Sequence, residues 1–249
     1  MTVDRTEERD RLFMNPERQL VDFAFDDAVA AVFPDMIRRS VPGYETVIPM
    51  TGLLAARHAA DVSAADGTRR IYDLGCSLGA TTLAVLRQLG DVPARIVAVD
   101  NAQAMIERAR AAIADPRVEF RLADVRELDF EPATVVLLNY VLQFIPPTDR
   151  LALLTRIRAA LTPGGLLIVS GKIRFDDPDE QRFYEVAHLD FKRANGYREL
   201  EISGKRSALE RVMIVDTEEQ HRRYFRDAGF GTVRKWYQCL NWASFLATP

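Results

Sequence analysis

The ten residues Arg70-Ile71-Tyr72-Asp73-Leu74-Gly75-Cys76-Ser77-Leu78-Gly79 decide the fold. A short apolar run ends in a turn bounded by two glycines. Behind it, Ala80 to Leu89 carries Leu83, Leu86 and Leu89 at helical spacing. This is a strand handing over to a helix through a turn whose glycines let the backbone bend sharply and come close to a ligand. Working outward, Arg95 to Val99 is a short apolar strand ending at Asp100, and Ala102 to Ala114 reads as a helix with Asn101 placed to cap it. Val118 to Leu122 and Ala133 to Leu138 are the next strands. Thr148 opens a helix with Leu151, Leu154 and Ile157 on one side, closed by Thr162-Pro163-Gly164-Gly165, and Leu166 to Val169 is a fifth strand. Alternating strands and helices of this kind build a parallel sheet from βαβ units.

Two segments stand outside the alternation. Met1 to Ala65 is largely helical in pattern and contains the loop Ser40-Val41-Pro42-Gly43-Tyr44; Phe175 to Val215 is helical and charge-rich. A last helix from Thr217 to Ala228 then leads through Gly229-Phe230-Gly231 into a closing hairpin, Val233 to Leu240 and Trp242 to Leu246. The expected architecture is one α/β domain. Its doubly wound sheet is mostly parallel with an antiparallel terminal strand, divided as an N-terminal helical lid (1–65), core (66–173), helical insertion (174–216), and last helix with hairpin (217–249).

Composition narrows the function. The 249 residues are 48% hydrophobic, too apolar for disorder, and 13 Gly and 12 Pro exclude a collagenous chain. Apolar runs fall short of the ~20 residues a membrane helix needs, and Met1 to Asn15 lacks the apolar stretch of a signal peptide. Cys76 and Cys239 are too few for a disulfide framework or a structural zinc site, so a cytoplasmic home is expected. With 33 Lys and Arg interleaved among 36 Asp and Glu, the net charge of -3 argues against direct nucleic-acid binding, which draws its affinity from phosphate neutralisation. No membrane partner and no metal are expected. His58, His188 and His221 have no metal-site spacing and read as core or surface groups, and Trp236 and Trp242 as core or dimer contacts.

Chemistry concentrates at the strand ends. Asp100 lies 21 residues beyond Gly79, where an acid can accept both hydroxyls of a ribose. Ala123-Asp124-Val125 follows the third strand and Asn139 the fourth. Polar residues at four carboxyl ends of one sheet mark the edge where open α/β sheets bind ligands. Ser77 takes the middle place that a dinucleotide's pyrophosphate would require to be glycine, which argues against NAD. Cys76 has no basic partner nearby in sequence to activate it as a nucleophile.

An acidic residue before the first turn, Asp100 after strand two and Asp124 after strand three resemble the Rossmann-like class I methyltransferase fold. The resemblance implies that Gly75, Cys76 and Ser77 approach the amino-acid part of S-adenosyl-L-methionine, Asp100 and Asn101 the ribose, and Asp124 and Val125 the adenine. Longer stretches are similar to a narrower family, the carboxy-S-adenosyl-L-methionine synthases. These are Ala31-Val32-Phe33-Pro34-Asp35-Met36-Ile37, Arg39-Ser40-Val41-Pro42-Gly43-Tyr44, Asp190-Phe191-Lys192-Arg193-Ala194-Asn195-Gly196-Tyr197 and Lys205-Arg206-Ser207, together with the first turn. They run from Asp26 nearly to Trp242.

That resemblance implies a homodimer converting S-adenosyl-L-methionine, taken as a substrate, and prephenate into carboxy-S-adenosyl-L-methionine, phenylpyruvate and water. The product passes to a separate transferase that carboxymethylates a tRNA wobble uridine. The implied chemistry exploits the acidity of a sulfonium methyl: its deprotonation, with prephenate's leaving hydroxide as base, gives an ylide that captures carbon dioxide released from the same prephenate. The product carboxylate calls for a guanidinium. Arg206 matches the family's carboxylate-binding arginine, although on composition alone it reads as a solvated charge. Tyr44 and Asn139 match family positions at the ligand, and Lys172, Arg193 and Tyr197 are lesser candidates for prephenate's carboxylates. A conventional methyltransferase acting on a small acidic acceptor, and a non-catalytic cofactor-binding module, are the alternative readings.

Overall fold

The computed structural model describes residues 9–14, 23–62, 67–209 and 212–249. Residues 1–8, 15–22 and 63–66 of the expected N-terminal lid, with most of the stretch read for a signal peptide, lie outside the described residues, as do 210–211 of the insertion. Five strands run parallel: β1 (Arg70–Leu74), β2 (Arg95–Asp100), β3 (Val118–Leu122), β4 (Ala133–Asn139) and β5 (Leu161–Arg174). A two-residue strand β6 (Asp216–Thr217) pairs the end of β5. The hairpin β7 (Thr232–Cys239) and β8 (Trp242–Thr248) completes the sheet, with β8 antiparallel to both β5 and β7. The order β3-β2-β1-β4-β5-β8-β7 reverses direction between β1 and β4, which opens a crevice at the carboxyl ends of those strands.

The central strands are buried almost throughout, as a sheet covered on both faces requires, and successive side chains point to opposite faces. Tyr72, Leu74, Val97, Val99, Val136, Leu138, Leu167 and Val169 face one way, against Leu153, Leu154 and Ile157 of α5 (Pro147–Ala160) and Phe225 of α8 (Glu218–Asp227). Ile71, Ile96, Val135, Leu137 and Ile168 face the other way, against Ala55 and Ala59 of α2 (Tyr44–Asp61) and Val85 and Leu89 of α3 (Ala80–Leu89). A third apolar cluster joins α1 (Asp27–Ser40), through Val29, Val32 and Met36, to Met105 of α4 (Gln103–Ala112) and Ala208 of α7 (Glu199–Leu209). Helix α6 (Pro178–Ala194) starts at Asp177, whose side chain accepts the Asp179 and Glu180 N–H groups; the acidic run there is a helix cap.

Arg39 stitches the lid to the insertion. It donates to Asp35 at 2.8 Å and to the Asn195 carbonyl at 2.7 Å, and its guanidinium lies 3.9 Å from the centre of the Tyr197 ring. A buried ion pair between Arg150 and Asp216 ties α5 to β6, and Arg150 also donates to the Ile145 and Ile214 carbonyls.

Three local expectations are corrected. Helix α4 starts at Gln103, and Asn101 does not cap it: the Asp100 carboxylate accepts the Ala102 N–H at 2.9 Å, because an aspartate naturally folds onto the backbone two residues on. Strand β5 begins at Leu161, but pairing jumps from Ala133–Leu161 to Val135–Leu166, so Thr162-Pro163-Gly164-Gly165 is looped out of register instead of lying before the strand. Leu151 is exposed, because the packed side of α5 holds Arg150, Leu153, Leu154 and Ile157.

Candidate functional site

At the carboxyl ends of β1, β2 and β4 lies a cavity of about 500 Å³, enough for a ligand of nucleoside size. Tyr44, Gly75, Cys76, Ser77, Asp100, Asn101, Asp124, Val125 and Asn139 all line it. The first turn forms because three of its residues have left-handed backbone: Gly75 at φ 69°, Ser77 at φ 52° and Gly79 at φ 80°. Space adds to φ at Gly75, where a branched valine stands close, more than at Gly79, where the neighbour is the flexible end of an isoleucine. A Cβ on Gly75 would sit 2.1 Å from Val141 Cγ2, and one on Gly79 would sit 2.6 Å from Ile113 Cδ1. Ser77 holds its strained conformation because its N–H donates to Asp100 Oδ2 at 2.8 Å. The middle place of the turn therefore accepts a side chain, at the expense of one acceptor on Asp100.

Burial sets the charges here. Asp73 is fully buried below the turn, and that burial raises its carboxyl to about 6, against the 2.6 Å hydrogen bond from the Thr82 hydroxyl. Asp100 is also raised by burial, with the Ala102 and Ser77 N–H groups working the other way. Burial and these two acids push the Cys76 thiol upward, so Cys76 is a packing residue with no thiolate to offer. Arg126 binds the Asp124 carboxylate at 2.7 Å and holds it below its ordinary range, so Asp124 meets the cavity as half of an ion pair.

Beyond β4 the wall is aromatic. Tyr140 has left-handed backbone at φ 63°, and its N–H donates to the Ser170 carbonyl at 2.6 Å. Its ring lies 5.7 Å from Tyr44 and 5.7 Å from Trp242. Such a wall suits a sulfonium on one side and a flat ring on another. Asn139 is buried; its Nδ2 is 3.4 Å from Thr81 Oγ1, and its Oδ1 has no partner among the described residues, an acceptor open to a ligand's donor.

Other expected residues fall elsewhere. Arg206 is exposed on α7 and outside the cavity lining, although its charge acts on Lys172 and Lys192. Arg193 is exposed and paired with Asp190 and Glu199, because these acids stand within reach on the insertion. Tyr197 is buried and donates to Asp10 Oδ2 at 2.5 Å, so its hydroxyl serves the lid. Trp242, expected in the core or a dimer contact, is buried and also lines the cavity. His188 bonds the Ser40 carbonyl at 2.8 Å, and His221 stacks on Phe225 and Phe245.

Lys192, Lys205, Gln143 and Tyr140 line the cavity and were not singled out from sequence. Only Lys192 and Lys205 carried a signal, as lysines inside the quoted lid segments.

Comparison with known proteins agrees with this geometry. A family model described as a methyltransferase domain matches residues 71–165. The carboxy-S-adenosyl-L-methionine synthase of Pseudomonas entomophila (strain L48) is 50% identical over 252 residues, covering 98% of this chain and 100% of the relative. That of Geobacter sp. (strain M21) is 50% identical over 247 residues, covering 97% and 99%. Among solved structures, human N-acetylserotonin methyltransferase in complex with SAM has a TM-score of 0.60 at 15% identity, covering 89% of this chain and 55% of that one. The SAH-bound methyltransferase CalO1 of calicheamicin biosynthesis has a TM-score of 0.56 at 21% identity, covering 90% and 59%. This chain thus spans just over half of each solved chain, and at these identities the likeness is one of fold.

Proposed function

The chain belongs to the carboxy-S-adenosyl-L-methionine synthase family of transferases, and from that premise we propose that it converts S-adenosyl-L-methionine and prephenate into carboxy-S-adenosyl-L-methionine, phenylpyruvate and water. The observation that carries this reading is the pairing of two unlike halves in one cavity. A nucleoside-type half is built from the Gly75 turn, Asp100 and Asn139; a second half is lined by the lid lysines Lys192 and Lys205. Cations beside the second ligand call for an anion, which a dicarboxylate supplies; the carboxylated product separates this reading from methyl transfer to a small acidic acceptor.

The atoms balance without a protein base. Prephenate breaks its ring–carboxylate bond, releases carbon dioxide and expels hydroxide as the ring becomes aromatic. The hydroxide takes a proton from the sulfonium methyl to give water, and the resulting carbanion forms a carbon–carbon bond to the carbon dioxide. What the chain supplies is confinement, since the carbon dioxide must react before it escapes. The surrounding wall of Tyr44, Tyr140 and Trp242 serves that purpose. Arg206 holds the new carboxylate in this reading, which requires it to reach the cavity from its exposed place on α7.

The enzyme acts in the cytoplasm as a homodimer. Phe183 and Val186, 65% and 50% exposed on one side of α6, support an apolar contact with a second copy. Its product is handed to a separate tRNA wobble-uridine carboxymethyltransferase, and no direct nucleic-acid contact is needed. No helix among the described residues is long and apolar enough to cross a membrane.

The test is mass spectrometry of the small molecules released on denaturing the freshly purified protein and of those formed after adding prephenate. A species heavier than S-adenosyl-L-methionine by one carbon dioxide is expected. Finding only S-adenosyl-L-methionine or its homocysteine product, with no conversion on adding prephenate, would replace the synthase with a conventional methyltransferase.

A further inference from the structure

Lys192 of α6 and Lys205 of α7 line the lid side of the cavity, and Lys172 of β5 and Arg206 of α7, outside that lining, act on Lys192 through their charge. Two of them are already engaged with acids. Lys205 donates to Ser40 Oγ at 2.9 Å and lies 3.8 Å from Asp10, and Lys172 feels the charge of Glu185. Lys192 differs. It lines the cavity, its ammonium has no hydrogen-bond or ion-pair partner among the described residues, and Lys205, Lys172 and Arg206 all repel it. His188 beside it is neutral, pushed down to about 3 by burial and by these lysines. Burying a cation among like charges is unfavourable unless an anion joins it. Burial and its neighbours accordingly draw Lys192 down to about 7 in the absence of one.

We propose that Lys192, backed by Lys172, is the contact that holds a carboxylate of the dianionic second substrate, an assignment that rests on the synthase reading above. Chemistry decides which carboxylate. The one that leaves as carbon dioxide loses its charge on the way to the transition state, so a cation fixed to it would favour the ground state and slow the reaction. Lys192 therefore binds the carboxylate that the substrate keeps, the one still present on phenylpyruvate. Arg206 is left for the carboxylate that forms on the sulfonium ligand.

The experiment uses the full chain as wild type, Lys192→Gln and Lys192→Arg. Binding of prephenate, phenylpyruvate and S-adenosyl-L-methionine is measured by calorimetry, and KM and kcat for prephenate by following carboxylated product. For Lys192→Gln we expect KM for prephenate and Kd for phenylpyruvate to rise at least about tenfold, as for loss of one partner of a desolvated charge pair. We also expect kcat to fall less than KM rises, Kd for S-adenosyl-L-methionine to stay within about twofold, and Lys192→Arg to recover most of the loss. Melting temperature without ligand should hold or rise, because an unpaired cation has been removed; a merely structural lysine would lower it.

Unchanged prephenate and phenylpyruvate binding in Lys192→Gln, or an equal loss for S-adenosyl-L-methionine, overturns the assignment. If wild type binds prephenate but makes no carboxylated product, the synthase reading fails while the binding comparison still decides the subsite. If wild type binds neither prephenate nor phenylpyruvate, both fall.

Discussion

Asp100→Asn exchanges one carboxylate oxygen for an amide nitrogen, and its consequences can be worked through atom by atom. In the wild type, Oδ2 accepts the Ser77 N–H at 2.8 Å and Oδ1 accepts the Ala102 N–H at 2.9 Å. Both oxygens are therefore committed to backbone, and their remaining lone pairs are what a ribose could use. Asparagine has one acceptor oxygen, so its amide nitrogen must face one of the two N–H donors. The variant loses a charge-assisted hydrogen bond of about 1.5–3 kcal/mol. Burial raises the Asp100 carboxyl, so removing its charge recovers part of that loss. The free protein should thus lose only about 1 kcal/mol. The ligand has no such offset: a ribose hydroxyl loses its charged acceptor, and the Ser77 turn loses the contact that sustains its left-handed backbone. A loss of about 2–4 kcal/mol in affinity for S-adenosyl-L-methionine is expected, which is roughly 30- to 1,000-fold in Kd. Calorimetric titration with S-adenosyl-L-methionine, alongside melting without ligand, separates the two effects. An affinity within about threefold of wild type would refute the account of Asp100 as the ligand's anchor.

Arg206→Ala should weaken binding of carboxy-S-adenosyl-L-methionine by at least about tenfold more than that of S-adenosyl-L-methionine, and equal losses in competitive titrations would remove Arg206 from the carboxylate role. Asp73 at about 6, above its ordinary 3.8, means the native chain keeps a proton that the unfolded chain has lost. Stability contributed by Asp73 is then full below about pH 4, declines by up to about 3 kcal/mol as pH rises to about 6, and stays flat above. Asp73→Asn should lack that decline, and denaturant titrations of both chains from pH 4 to 7 that run parallel would disprove it. Arg150→Met strands the buried Asp216 carboxylate and should destabilise the fold by about 3–5 kcal/mol, read as the urea midpoint at neutral pH. A loss below about 1 kcal/mol would show that water reaches Asp216.

Much of this molecule is legible along the chain because the forces that shape it are local. The β1 strand, its glycine turn and α3 are marked by residues within twenty positions of one another: a short apolar run, glycines where the backbone turns left-handed, and leucines at helical spacing. Asp100, Asp124 and Asn139 could be found at the same stage because parallel strands bring their carboxyl ends to one edge, so position along each strand already implies nearness in space. Caps and register were harder. Asp100 rather than Asn101 holds the start of α4 since a carboxylate can serve two donors at once, and the jump of register in β5 depends on its neighbour β4.

The second half of the cavity belongs to tertiary structure. Its lysines Lys192 and Lys205 sit on separate helices, with the charge of Lys172 on β5 acting on Lys192, and nothing in their local sequence distinguishes them from Arg193, which is exposed and paired with acids of its own segment. Whether a cation is neutralised or left facing a ligand depends on which acids the fold brings near, a sum over contacts between residues far apart in the chain. Trp242 makes the same point: its sequence neighbours form a hairpin, yet β8 lies beside β5 and brings the indole to Tyr140 and the cavity wall. Sheet, turn and the cavity-lining residues at the strand ends could be read along the chain, because backbone geometry and apolar pattern are short-range. Tertiary structure decided the lid's charge, because electrostatic compensation acts through space.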